Sequence, residues 1–321
     1  MSLRFRLAAA LAAFALAVVA APPAQGAAVS TRVFGPDRVA TAIAVYEQNR
    51  DLFTSDTVVL TRSDQFPDAL AAGPLAVSLR APVLITPPRS VDQRVLDTLR
   101  RQRVERVVVV GGTSAVSAAA VAELERARLQ VERVSGNDRF TTAEAVARKA
   151  AGTASVPVFV ADGMTPHDAL IAGAIAGRER GVVVLSAGGR LTPSTRAFLQ
   201  SRTTSTRLGI GKAGSAAVTT LGLTQVVAGG SPEATSVAVA NYWYKPATSV
   251  VVTSAAGWGD ALAGAPLAAL RRAPLLLAPP REVSGAMKTY LRGTRADTIV
   301  VLGGEAAVPA GVERELVAAR R

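Results

Sequence analysis

The chain has no cysteine, a single histidine, and only 4% aromatic residues among 321. Without cysteine there are no disulfides, no thiolate nucleophile and none of the cysteine-based structural zinc sites. With His167 alone, a multi-histidine metal centre is excluded, and His-Glu-x-x-His is absent, as is Gly-x-Ser-x-Gly. The scarcity of aromatics leaves Ala, Val and Leu to build the core. Long apolar runs are also missing beyond the first residues. After residue 21, Gly, Pro or a charge breaks every Val- or Leu-rich stretch within about ten residues, too short to span a bilayer.

What is present is apolar bulk and positive charge. Hydrophobic residues make up 49% of the chain and charged residues 19%, enough for a large core or several small ones sharing interfaces. Lys plus Arg number 36 against 24 Asp plus Glu, a net charge of +12. Such an excess favours a polyanionic partner: nucleic acid, a membrane surface or an acidic wall polymer. The N-terminus narrows the choice. Arg4 and Arg6 precede an apolar run, Leu7 to Ala21, followed by small residues Ala24, Gly26, Ala27 and Ala28. This is the pattern of an export signal over residues 1–28. An exported chain does not meet cytoplasmic nucleic acid, and after cleavage it keeps no membrane segment, so neither is expected as a partner.

The remainder repeats three times. Asp-Ala-Leu recurs at Asp68, Asp168 and Asp260, offsets of 100 and 92, each followed by a glycine: Gly73, Gly173 and Gly264. Short apolar strands follow at the same offsets, over 82–86, 182–186 and 274–278. A third landmark is a strand ending in glycine at 107–112, 207–212 and 298–304. A fourth opens each unit: Gly35-Pro36-Asp37-Arg38 before Thr41-Ala42, Gly136-Asn137-Asp138-Arg139 before Thr142-Ala143, and a decayed Gly230-Ser231-Pro232-Glu233 before Ser236-Val237. Each unit reads as an opening helix, then strands alternating with helices. β-branched runs apolar throughout are what parallel strands covered on both faces look like. The expectation is three small α/β units at 29–134, 135–227 and 228–321, joined by right-handed crossovers and packed together.

Several motifs invite chemistry. Gly209-Ile210-Gly211-Lys212-Ala213-Gly214 fits the dinucleotide pattern, but the other units read Gly-Gly there, so a strand-to-helix turn explains it better. No cofactor and no metal are expected. The strand-end aspartates Asp68, Asp168 and Asp260 occupy the rim where open α/β sheets place sites. They read as carboxylates at helix starts or as ligands for a polymer. No second carboxylate repeats beside all three; Asp64 and Asp162 have no counterpart in the third unit. His167 next to Asp168 would be half of a hydrolytic dyad, or a plain surface histidine. Asp37, Arg38 and Arg139 read as a helix-start ion pair or as an anion site. Arg100, Arg101, Arg103 and Arg106, with Arg271, Arg272 and Arg281, add positive charge.

Taken together these segments resemble the cell-wall-binding repeat family of type two, found as tandem triplets in Gram-positive surface proteins. The resemblance rests on Gly-x-Asp-Arg-x-x-Thr-Ala at 35–42 and 136–143, the Asp-Ala-Leu segments, the strands at 82–86 and 274–278, and Val-Gly-Gly-x-x-Ala-Val at 110–116 with its counterpart at 302–308. It implies three Toprim-like, Rossmann-like parallel-sheet repeats about a pseudo-threefold axis. It further implies a secreted, wall-associated protein that binds an anionic wall polymer, teichoic-acid-like or an acidic polysaccharide, without catalysis. The family's apolar anchoring triplet falls on Val83, Leu84 and Ile85, on Val183, Val184 and Leu185, and on Leu275, Leu276 and Leu277, which by their residue types are buried strand. The rival readings are a wall hydrolase working through the strand-end aspartates or His167, and a self-assembling surface-layer component.

Overall fold

The computed structural model describes residues 28–320. The expected export signal at 1–28 lies outside the described residues except for Ala28.

The elements of the first unit are α1 (Arg38–Glu47), β2 (Thr57–Arg62), a 3-10 turn (Pro67–Ala71) leading into α2 (Ala72–Ser78), β3 (Val83–Thr86), α3 (Gln93–Arg101), β4 (Arg106–Val110) and α4 (Ala118–Arg126). Before α1 stands β1 (Val29–Val33), and after α4 comes β5 (Gln130–Val134). The second unit runs through α5 (Arg139–Ala151), β6 (Val158–Asp162), α6 (His167–Arg178), β7 (Val182–Ser186), α7 (Pro193–Gln200), β8 (Arg207–Ile210), α8 (Gly211–Thr219) and β9 (Val226–Val227). The third has α9 (Pro232–Trp243), β10 (Ser249–Ser254), α10 (Gly259–Leu270), β11 (Leu275–Ala278), α11 (Gly285–Arg292), β12 (Thr298–Leu302) and α12 (Ala310–Ala319).

Three parallel four-stranded sheets result, ordered β3-β2-β4-β5, β7-β6-β8-β9 and β11-β10-β12-β1. Three strands of each sheet are the apolar runs visible in the sequence. The fourth is an edge strand. In Gln130–Val134 its residues are mostly half-exposed and its composition is mixed, so apolar patterning does not mark it. The position of these edge strands determines the architecture. β5 and β9 each precede the opening helix of the next unit yet hydrogen-bond into the sheet behind them. β1 does the same across the whole chain, pairing Val29 with Thr298 through Val33 with Leu302. The strand at the start of the span expected for the first unit therefore completes the third sheet, and the two ends of the described chain close a ring.

The opening helices follow the same logic. α1 packs on β3 of its own unit and on α10 of the third, α5 on β7 and α2, and α9 on β11 and α6. At the centre α2, α6 and α10 pack on one another. Small residues permit this. A Cβ on Gly73 would lie 3.6 Å from the Ala265 Cβ and 3.6 Å from the Gly173 backbone. The structure thus aligns Ala265, not Gly264, with Gly73 and Gly173. Gly264 instead makes room for Leu302, whose Cδ1 would stand 2.4 Å from an added Cβ. One hydrophobic core runs through all three units around these helices, with Tyr46, Phe53 and Phe159 among its largest fully buried side chains.

Candidate functional site

The sequence directs attention to the rim where strands end and helices begin, and there each unit meets the next. The three seams share one construction. A glycine two residues before a helix cap donates its amide to a threonine hydroxyl six residues on: Gly35 to Thr41 at 3.1 Å, Gly136 to Thr142 at 3.0 Å, Gly229 to Thr235 at 3.1 Å. The helix caps are Asp37, Asp138 and Ser231, accepting from Ala40, Thr141 and Ala234 at 2.9, 2.8 and 3.2 Å. This corrects the sequence alignment of the third unit by one position. Gly229, Ser231 and Thr235 occupy the places that the sequence assigns to Gly230, Pro232 and Ser236.

Each of these threonines faces the strand-end aspartate of the unit before it, Thr142 facing Asp68, Thr235 facing Asp168 and Thr41 facing Asp260. On the other side each carboxylate presses against the glycine ending its own unit's third strand. Those glycines have positive φ: Gly111 at 110°, Gly211 at 73° and Gly303 at 99°. A Cβ added to them would stand 3.1, 1.9 and 2.5 Å from the aspartate Oδ2. The recurrence of Asp with Gly is therefore steric: only a residue without Cβ leaves room for the carboxylate. The aspartates do not cap their helices, since Phe66, Pro166 and Trp258 hold those positions without side-chain bonds. They sit in the first turn, where a negative charge favours the helix dipole. Burial pushes all three carboxyls above the usual carboxylate range.

The seams differ in charge. At the first, Arg139 from α5 and Arg62 attract Asp68; at the third, Arg38 from α1 attracts Asp260. Arg139 donates to the Gly163 carbonyl at 2.8 Å. Arg38 donates to the Ser63 carbonyl at 2.9 Å and lies 5.2 Å from the Trp258 ring, which meets Phe66 edge-on. At the second seam the arginine is replaced by Pro232. Among the described residues Asp168 has no cation of this kind, one of its oxygens is buried without a partner, and the nearby Asp162 carboxylate repels it. Burial first, then Asp162, pushes it up to about 6. Beside it opens a cavity of about 420 Å³ lined in part by Asp162, Thr165, Lys212 and Ser231.

The remaining predicted groups are also placed. Asp37 pairs with Arg94 at 2.9 Å, so Asp37 and Arg38 face different partners and are not an ion pair with each other. Asp64 is engaged by Arg62 at 2.6 Å, while Asp162 accepts from the Met164 amide and the Thr165 hydroxyl at 3.0 Å each. The two carboxylates have different roles. His167 turns toward the Ala255 main chain, and burial lowers its basicity, against smaller opposing effects of that main-chain contact and of Glu233. The nine triplet residues, Val83, Leu84, Ile85, Val183, Val184, Leu185, Leu275, Leu276 and Leu277, are the buried strands β3, β7 and β11 and present no side chain to solvent. Sequence reasoning picked out Thr41 and Thr142 as landmarks without a role, and missed Thr235 and two strand arginines. Arg133 donates to the Gly111, Gly112 and Val116 carbonyls at 2.6, 3.0 and 2.7 Å, and Arg32 to those of Gly303 and Val308 at 2.7 and 2.9 Å. The shared string Arg-Val-x-Gly-x-Asp-Arg at 32–38 and 133–139 carries that signal.

Known proteins are similar to this chain in sequence and in fold. The family model for cell wall binding domain 2 matches residues 32–121, 133–230 and 226–313. The N-acetylmuramoyl-L-alanine amidase LytC of Bacillus subtilis is 24% identical over 295 residues, 89% of this chain and 57% of that protein. The amidase enhancer of the same organism is 24% identical over 289 residues, 90% of this chain and 40% of that one. Among solved structures, Cwp6 from Clostridium difficile superposes with a TM-score of 0.82 at 23% identity, covering 91% of this chain and 48% of its own, and Cwp8 with 0.79 at 23%, covering 91% and 51%. The chain thus spans about half the length of these relatives, and the likeness to the two solved structures is one of fold. With three tandem matches covering most of its length, the chain belongs to the cell wall binding domain 2 family.

Proposed function

We propose that the protein is exported and attaches non-covalently to an anionic polymer of the cell wall, without catalysis of its own. The observation that carries this reading is the set of three cell wall binding domain 2 repeats from residue 32 to 313, closed into one ring. The net charge of +12 supports a polyanionic ligand. Three related units on one body favour several weak contacts with one polymer, strengthened by effective concentration. The six candidate side chains Asp37, Arg38, Arg139, Asp68, Asp168 and Asp260 support binding in this reading chiefly by holding the seams in shape. The buried triplets act in the same way, through the strands they form.

A wall-hydrolase reading draws on the relative named as an amidase. The geometry favours it less: the aspartates are wedged between glycine and threonine, and His167 faces main chain. This chain matches only 57% of that relative's length, so the relative's name carries no activity over to it.

Co-sedimentation with purified walls tests the proposal. The protein is expected to pellet with intact walls and to stay in solution after the anionic polymers are extracted. Equal retention on extracted walls would overturn the polymer assignment. Clearing of wall substrate in a zymogram, lost in His167→Ala or Asp68→Ala, would overturn the non-catalytic one.

A further inference from the structure

The three central helices end at the opposite side of the ring from the rim, and each ends in the same way. The amides of Ala81, Gly181 and Ala273 reach back to the carbonyls of Ala76, Ala176 and Ala268 at 2.8, 2.7 and 2.9 Å, while those of Arg80, Arg180 and Arg272 bond to Val77, Gly177 and Ala269. These are Schellman endings, in which the residue before the reaching amide takes a left-handed conformation and is most often glycine. Here it is arginine in all three units, with φ of 50°, 55° and 53°. The positions 80, 180 and 272 repeat the offsets of 100 and 92, so the pseudo-threefold axis gathers them. All three are exposed, and they line one cavity of about 550 Å³ together with Arg178, Pro74, Val77 and Ala269.

The charge around this cavity is of one sign. Among the described residues no aspartate or glutamate lines it. Among them too, Arg80, Arg180 and Arg272 enter no salt bridge or side-chain hydrogen bond, and only Arg178 has a carboxylate, that of Glu179. At the rim the situation is the reverse: Arg38, Arg139 and Arg94 are each held by a carbonyl or a carboxylate. Three guanidinium groups open to an incoming anion therefore converge on the axis, at the C-terminal ends of α2, α6 and α10.

We infer that this axial cavity is an anion-binding site that takes an oxyanion group of the wall polymer, a phosphodiester or a carboxylate, between Arg80, Arg180 and Arg272. Guanidinium is the side chain best matched to such groups, offering paired donors in a plane. Because the three come from different units, a site of this kind exists only in the closed ring. The inference rests on the wall-binding reading and gives it a location.

The left-handed positions supply a clean test, because glycine relieves the backbone there while removing the charge. The triple variant Arg80→Gly, Arg180→Gly, Arg272→Gly is compared with Arg103→Gly, Arg128→Gly. The latter pair has the same left-handed geometry, φ 54° and 66°, at the ends of α3 and α4. Both are expected to melt no earlier than the parent. For intact purified walls at low salt the triple variant should lose about tenfold in affinity, and the control pair under about twofold. Loss on intact walls that disappears after hydrofluoric acid removes phosphodiester polymers assigns the phosphate; loss that persists assigns the carboxylate. A triple variant that binds as tightly as a parent with salt-sensitive binding overturns the axial site alone. A parent that fails to bind walls overturns the wall-binding reading, and the axial site falls with it.

Discussion

In two places the chain passes from one unit to the next through Arg-Val-x-Gly-x-Asp-Arg, at 32–38 and 133–139; between the second and third units the same stretch is Val226-Val227-Ala228-Gly229-Gly230-Ser231-Pro232. Both arginines are gone there. Val226 replaces the strand arginine that laces the glycine loop, and Pro232 replaces the one facing the aspartate. The glycine, the cap and the threonine remain, and the second seam still closes. Closure therefore depends on the wedge of aspartate between glycine and threonine, and the arginines tune its charge. The second seam is the one left with an aspartate pushed up to about 6 and an open cavity beside it.

The largest expected difference is at the laced loops. Arg133→Ala removes three hydrogen bonds from a half-buried guanidinium and should cost about 2–3 kcal/mol in denaturant unfolding. Val226→Ala, at the matching place in the second sheet, should cost under about 1 kcal/mol. Equal costs would show that the lacing contributes nothing. Next comes the pH dependence of the second seam. A carboxyl raised in the folded state lets the unfolded chain ionise first, so stability from this group is full below about pH 4 and falls as pH rises toward 6. Asp168→Asn should remove that decline and gain about 2 kcal/mol at pH 8, with little gain at pH 4. A variant whose advantage over the parent does not change between these pH values would contradict the assignment. The smallest effect belongs to Pro232→Arg, which gives the second seam the cation of the other two. It should stabilise by about 0.5–1 kcal/mol at neutral pH and lower the Asp168 titration seen by carboxyl NMR. An unmoved titration would mean that the new guanidinium does not reach the carboxylate.

Much of this architecture is legible in the residues. Strands such as Val58-Val59-Leu60 and Val107-Val108-Val109 are apolar on both faces because both faces are covered, and repetition at fixed offsets marks three copies of one unit. The edge strands are not legible in this way. β9 has two residues, and β5 alternates in character because one side meets solvent, so neither stands out from loop. Their assignment to the preceding sheet is a property of the closed ring, which no local pattern encodes. At the rim the aspartates and Arg38 are visible as recurring residues, but their role depends on a partner far along the chain, as Thr142 is for Asp68. The one-residue misalignment of the third unit hid Thr235, because Ser236 satisfied the same expectation of a hydroxyl. Of the axial arginines only Arg272 stands out in the sequence, as part of a basic cluster; Arg80 and Arg180 do not, because an arginine after a helix reads as an ordinary solvated charge.

Central to the proposed function is that positive charge on a closed three-unit ring holds an anionic wall polymer. The most direct test is the affinity of the protein for purified intact walls measured from about 50 to 500 mM salt, a range over which the screening length falls from roughly 14 to 4 Å. A steady loss of at least about tenfold across the series is expected. An affinity that does not change with salt would contradict it.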